Sequence, residues 1–139
     1  MNKTKLAEQL KKHEGLKLKP YTDTVGKLTL GIGRNLEDKG ITEQEALFML
    51  NNDVDYFYGQ LNKKLTWFKS LDDARQNVLV NMAFNLGVAG LLSFKNMLEE
   101  CKNEQYNFAS IEMLDSKWAK QVGCRSKELA QQMLTGEYQ

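Results

Sequence analysis

Residues 13–34 read His13-Glu14-Gly15-Leu16-Lys17-Leu18-Lys19-Pro20-Tyr21-Thr22-Asp23-Thr24-Val25-Gly26-Lys27-Leu28-Thr29-Leu30-Gly31-Ile32-Gly33-Arg34, and a change of period inside them decides the fold. Leu28, Leu30 and Ile32 alternate with Lys27, Thr29, Gly31 and Gly33, the two-residue repeat of a strand with one apolar face. The other face carries Thr29 beside glycines, which lets a second backbone or a ligand come close to its hydroxyl. Asp23-Thr24-Val25-Gly26 has the composition of the turn that opens a small sheet. Upstream, Leu6, Leu10 and His13 keep helical spacing and Gly15 supplies a stop, so the opening helix is expected to end near Glu14.

Downstream the period is helical throughout. Thr42-Glu43-Gln44-Glu45 is a capping box, and Ala46, Leu47, Leu50, Val54, Phe57, Tyr58 and Leu61 continue it as a long amphipathic helix suited to joining two lobes. A second box, Ser70-Leu71-Asp72-Asp73, opens a segment that is apolar around most of its circumference, the mark of a buried central helix. Residues 93–102, 106–118 and 125–134 predict further helices. A small antiparallel sheet near the N-terminus followed by packed helices is an α+β arrangement, which argues against a parallel nucleotide-binding sheet. The expected organisation is one domain over residues 1–139, with a sheet lobe at about 15–60 and a helical lobe formed by 1–14 together with 61–139.

With 139 residues, 42% of them hydrophobic, the chain has the material for a core without metals or disulfides. A formal charge of +1 gives no footprint for phosphate neutralisation, so nucleic acid is not an expected partner. The opening residues turn charged before any apolar run, so they do not read as a signal peptide, and no stable membrane insertion is expected. Cys101 and Cys124 are too far apart for a redox or metal motif, and His13 alone does not complete a zinc site with them. Both are read as free thiols, a disulfide being the alternative in an oxidising compartment. Neither a metal nor an organic cofactor is expected.

Several side chains have the chemistry for a site, each with a plainer reading beside it. Glu14 at a helix C-terminus faces the negative end of the macrodipole, which suits a carboxyl that keeps its proton for use as a general acid; it is equally a solvated glutamate before a stop glycine. Asp23 is a good first residue of a turn ending in glycine, and Thr29 an ordinary strand threonine. Asp53 lies on the Leu50–Phe57 stripe of the long helix, where a carboxylate needs a cation, and Arg34 at the strand end is the expected partner. Arg125, Trp67, Trp118 and Phe84 read as an exposed cation and as core or rim aromatics. Met49, Met82, Met97, Met113 and Met133 read as core filling, and His13 as a partly buried packing residue.

Taken in order, these pieces resemble the phage-type lysozymes, the glycoside hydrolase family typified by the enzyme of the T-even phages. The likeness covers nearly the whole chain. It rests on His13-Glu14-Gly15-Leu16, Tyr21-Thr22-Asp23-Thr24 with Gly26, and Leu28-Thr29-Leu30-Gly31-Ile32-Gly33. It continues through Gly40-Ile41-Thr42, Asn52-Asp53-Val54-Asp55, Ser70-Leu71-Asp72, Asn81-Met82-Ala83-Phe84-Asn85-Leu86-Gly87, Ser116-Lys117-Trp118 and Thr135-Gly136.

The resemblance implies that Glu14 is the general acid, Asp23 the second catalytic carboxylate and Thr29 the hydroxyl that helps hold the attacking water. Arg125 matches the arginine that pairs with the catalytic glutamate, and Leu30, Gly31 and Asn85 are expected to support substrate binding. Two departures stand out. The family's best-known member has a histidine where this chain has Arg34, paired with the aspartate matching Asp53; arginine keeps an ion pair there and removes its titration near neutrality. The connection from Asn35 to Gly40 is short where longer relatives carry an extra hairpin, which shrinks one wall of the cleft.

The implied activity is an endolysin-type muramidase cutting the β-1,4 bond between N-acetylmuramic acid and N-acetylglucosamine, by inversion, for host lysis. Inversion calls for carboxyls roughly 6.5 to 9.5 Å apart. The expected partner is the peptidoglycan glycan strand, and the expected state a monomer held in the host cytoplasm until a holin or similar route gives access to the periplasm or wall. Two rival readings stand beside it: a lytic transglycosylase in which Glu14 works alone, and a non-catalytic peptidoglycan-binding module.

Overall fold

The structure, a computed structural model, describes all 139 residues and has the α+β class read from the sequence. Its contacts divide the chain into two compact units, Met1–Met49 and Leu50–Gln139. The opening helix falls with the sheet in the first unit, whereas the sequence reading groups it with the C-terminal helices.

In the first unit α1 spans Lys3–Glu14, capped where Asn2 Oδ1 accepts from the Lys5 amide at 3.0 Å. It ends at Gly15, whose φ of 77° suits a residue without a Cβ, as the stop signal predicts. Strands β1 (Lys17–Thr22), β2 (Leu28–Gly31) and β3 (Arg34–Asn35) form an antiparallel sheet in the order β1-β2-β3. Tyr21 stands opposite Thr29, and Thr29 opposite Asn35, so those three side chains share one face; Leu30 pairs with Arg34 on the other. Helix α2, Glu43–Lys64, opens on the predicted capping box: Thr42 Oγ1 accepts from the Glu45 amide at 3.1 Å, and Glu45 Oε2 accepts from the Thr42 amide at 3.0 Å. The boundary between the units falls within α2.

The second unit holds the core. After a single 3-10 turn at Phe68–Ser70 come α3 (Asp73–Leu86), α4 (Val88–Leu92), α5 (Lys95–Lys102), α6 (Tyr106–Leu114), α7 (Lys117–Val122) and α8 (Cys124–Thr135). Val78, Leu79, Met82 and Ala83 of α3 lie one turn apart and are fully buried, as expected of a central helix. Around them close Leu61, Phe68, Leu91, Met97, Met113 and Met133. Each such side chain contributes roughly 1.5 to 3 kcal/mol by leaving water. The polar groups in this core are satisfied: Gln132 Nε2 donates to the Ala74 carbonyl at 2.7 Å, and Ser110 Oγ to that of Ala130 at 2.9 Å. Cys101 and Cys124 are free thiols; the first is buried among Met97 and Met133 sulfurs, and desolvation pushes it up to about 12.

Several expectations need correction. The cap of α3 is Asp72, which accepts from the Arg75 amide, while Ser70 closes the preceding 3-10 turn on the Trp67 carbonyl. The predicted helix over 106–118 is broken at Asp115-Ser116, because Ser116 Oγ caps a new helix by accepting from the Ala119 amide. Met49 is 45% exposed and is not core filling, and His13 is exposed. No helix is long and apolar enough to cross a membrane.

Candidate active site

Glu14 is the last residue of α1, and Gly15 turns the chain away immediately after it. Its side chain runs over Gly33, in the turn between β2 and β3. A methyl group placed on Gly33 would lie 3.1 Å from Glu14 Oε2 and 3.2 Å from its Cδ. The carboxyl therefore rests on bare backbone at the end of the sheet, and Gly33, at φ 67°, is the residue that leaves it room.

Asp23 opens the β1–β2 turn, where its Oδ1 accepts from the amides of Val25 at 3.0 Å and Lys27 at 2.8 Å. The backbone closes the same turn through Asp23 N to Lys27 O at 2.9 Å and Gly26 N to Asp23 O at 3.0 Å. Two amides on one oxygen fix the carboxylate in a single orientation and leave Oδ2 without a protein partner. Thr29 is the one buried side chain of this unit, and its Oγ1 donates to the Lys27 carbonyl at 3.0 Å. Asp23 and Thr29 thus bind the two polar groups of one residue, Lys27, whose backbone nothing in the sequence marks as a tie between them. With its proton committed to that carbonyl, Thr29 Oγ1 offers only lone pairs to a third group.

Leu30 and Gly31 follow on β2, but Leu30 stands on the face opposite Thr29. There, with Arg34, Leu36, Ile41, Phe48 and Met49, it lines a hollow of about 620 Å³. Arg34 does not take its expected partner. Its Nη1 and Nη2 each donate to a Glu45 oxygen at 2.7 Å, and Nη1 also reaches the Gly40 carbonyl at 3.2 Å. Asp53 is exposed, so the buried carboxylate that called for a cation is not there. The reason is reach: Glu45, already turned back by the capping box, presents both oxygens to the fork of a guanidinium at the strand end. Hydrogen bonding from Arg34, and then from the Thr42 amide, holds the Glu45 carboxyl down to about 2.

The remaining expected residues belong to the second unit. Arg125, the second residue of α8, donates from Nε to Asn81 Oδ1 at 3.0 Å and from Nη2 to the same oxygen at 2.6 Å. Asn85 Oδ1 accepts from the buried Trp118 Nε1 at 2.8 Å, which satisfies the indole inside the core edge. Asn81 carries no separate signal in the sequence beyond standing one helical turn before Asn85. No group of three or more His, Cys, Asp or Glu side chains is placed to hold a metal ion.

A model of the family described as phage lysozyme matches residues 11–133. Among relatives, a probable T4-type lysozyme 1 of Dictyostelium discoideum is 31% identical, with 94% of each chain covered. The pre-baseplate central spike protein Gp5 of Enterobacteria phage T4 is 28% identical over 94% of this chain and 28% of its own length. An endolysin of Acyrthosiphon pisum secondary endosymbiont phage 1 is 29% identical over 80% of this chain and 75% of its own.

Proposed function

The chain belongs to the phage lysozyme family and is a glycoside hydrolase of the lysozyme type; from that premise we propose that it hydrolyses the β-1,4 bond between N-acetylmuramic acid and N-acetylglucosamine in peptidoglycan, with inversion. Glu14 gives its proton to the glycosidic oxygen as the bond from the anomeric carbon breaks. A water on the opposite face of the sugar supplies the new hydroxyl, and Asp23 takes the proton it loses.

The observation that carries this reading is the convergence of Asp23 and Thr29 on the Lys27 peptide. A water that donates one hydrogen to Asp23 Oδ2 and the other to Thr29 Oγ1 has its remaining lone pairs free to attack, and neither side chain has another orientation to relax into. Glu14 rests on Gly33 with no protein donor on its carboxyl, so its proton is free to leave toward substrate. In this reading the protein is a monomeric endolysin for host lysis, held in the cytoplasm until a holin or similar route admits it to the wall.

Glu14→Gln keeps the shape and removes the proton. We expect wall clearing to fall by at least about 10²-fold, the usual scale for a lost general acid, with an unchanged melting temperature. Clearing at the wild-type rate by a folded mutant rules out the acid role. NMR of freshly cut muropeptide should show the α anomer first; a β product overturns inversion, and an anhydro sugar, which contains no added water, replaces hydrolysis with transglycosylation.

A further inference from the structure

Arg125 is held in an unusual way for a partly exposed arginine. Asn81 Oδ1 accepts from both its Nε, at 3.0 Å, and its Nη2, at 2.6 Å, and the Asn81 carbonyl takes a further bond from Nη2 at 3.3 Å. Within their unit no carboxylate lies within ion-pair distance of this guanidinium, so the positive charge is oriented without being neutralised. Nη1 is left without a partner there. The guanidinium lines a hollow of about 400 Å³ whose walls include Leu50, Val54, Val80 and Phe84, an apolar setting in which a fixed charge acts more strongly than in open water. Gly123, at φ 59° and ψ −121°, starts α8 two residues earlier and sets where the arginine leaves the backbone.

A free arginine side chain keeps about 2 kcal/mol of rotamer entropy, and exposed hydrogen bonds return little net stability for restricting it. Restraint at Nε and Nη2 therefore has more effect on the direction of the remaining N–H groups than on the fold. We infer that Asn81 is the positioning residue for Arg125, fixing the guanidinium so that its free edge meets the reacting groups in one geometry. The inference rests on the proposed reaction, in which Arg125 supports the site.

The test is a double-mutant cycle with Asn81→Ala, Arg125→Ala and the pair, reading kcat, KM and melting temperature on soluble peptidoglycan fragments. Positioning predicts that Asn81→Ala lowers kcat about tenfold, within the range of coupled neighbours, with KM and melting temperature unchanged. The double mutant should then be no slower than Arg125→Ala alone. Equal losses from Asn81→Ala in both backgrounds mean that it acts independently, and overturn the proposal. So does a wild-type kcat for Asn81→Ala when Arg125→Ala is impaired. Full activity in Arg125→Ala defeats the role given to the arginine itself, and with it any need for Asn81 to position it; activity of Glu14→Gln, measured in parallel, shows whether the reaction assignment has failed as well.

Discussion

At the level of single residues, the site depends as much on what is missing as on what is present. Gly33 has no side chain, and the Glu14 carboxyl occupies the space where one would begin. Gly33→Ala places a methyl group 3.1 Å from Glu14 Oε2 and forces a left-handed backbone on alanine. The backbone cost is about 1 kcal/mol, a loss of roughly 3 °C in melting temperature for a chain of this size. Because Glu14 is exposed, its carboxyl yields by shifting, and a misplacement of that order is expected to lower kcat by more than about tenfold. Wild-type kcat in a folded Gly33→Ala protein refutes the idea that this glycine seats the acid. The roles of Glu14, Asp23 and Thr29 were legible only as a set, since each has an ordinary explanation alone. The contacts that orient them were not legible: Lys27 acts through its peptide, and a peptide group carries no signature in the side-chain sequence.

For the elements, sequence located nearly every helix and strand but erred where two signals competed for one job. Ser70 and Asp72 both suit a cap, and the aspartate won because the serine closes the 3-10 turn before it. Glu45 was legible as half of a capping box, yet its second role as partner of Arg34 was not, because the pattern on α2 says nothing of what β3 presents to it. That pair joins strand to helix and gives a pH test with a definite sign. The Glu45 carboxyl sits at about 2 in the folded protein against an ordinary 4.5. Its contribution is therefore complete above about pH 4.5 and is lost as pH falls toward 2. Glu45→Gln keeps the capping reach to the Thr42 amide and removes the charge. The wild type should melt above the mutant at pH 6, and the gap should close by pH 2 and narrow in high salt, since the pair is about one-third exposed. A gap of the same size at pH 2 means the ion pair is not its source.

Across the whole molecule, burial and chemistry are unevenly shared. Every buried hydrophobic residue lies between Leu61 and Met133, while Thr29 is the only buried residue before Leu50. Arg75 closes the second unit. Its Nε and Nη2 donate to the Met133 and Leu134 carbonyls at 2.7 and 3.0 Å, Nη1 meets Asp72 Oδ2 at 2.9 Å, and the guanidinium lies 3.6 Å from the centre of the Tyr106 ring. One side chain thus satisfies the last carbonyls of α8, the cap of α3 and an aromatic of α6. The first unit has strand pairing, two helix caps and the Arg34–Glu45 pair, all open to solvent competition, and it carries the proposed acid and the groups that hold water. Segments with few buried contacts open at low free energy, and those that must admit a ligand are drawn from that end of the scale. Native-state hydrogen exchange should therefore find the slowest amides in α3, α6 and α8, exchanging only through global unfolding. The amides of β1 to β3 should exchange through local openings several kcal/mol smaller. Arg75→Met should lower protection in α3, α6 and α8 together, by about 3 kcal/mol for two charged hydrogen bonds and a cation–π contact, and leave the sheet nearly unchanged. Equal protection of the sheet and α3 in the wild type, or a parallel fall of both in the mutant, means that the two units unfold as one and that the site is no softer than the core.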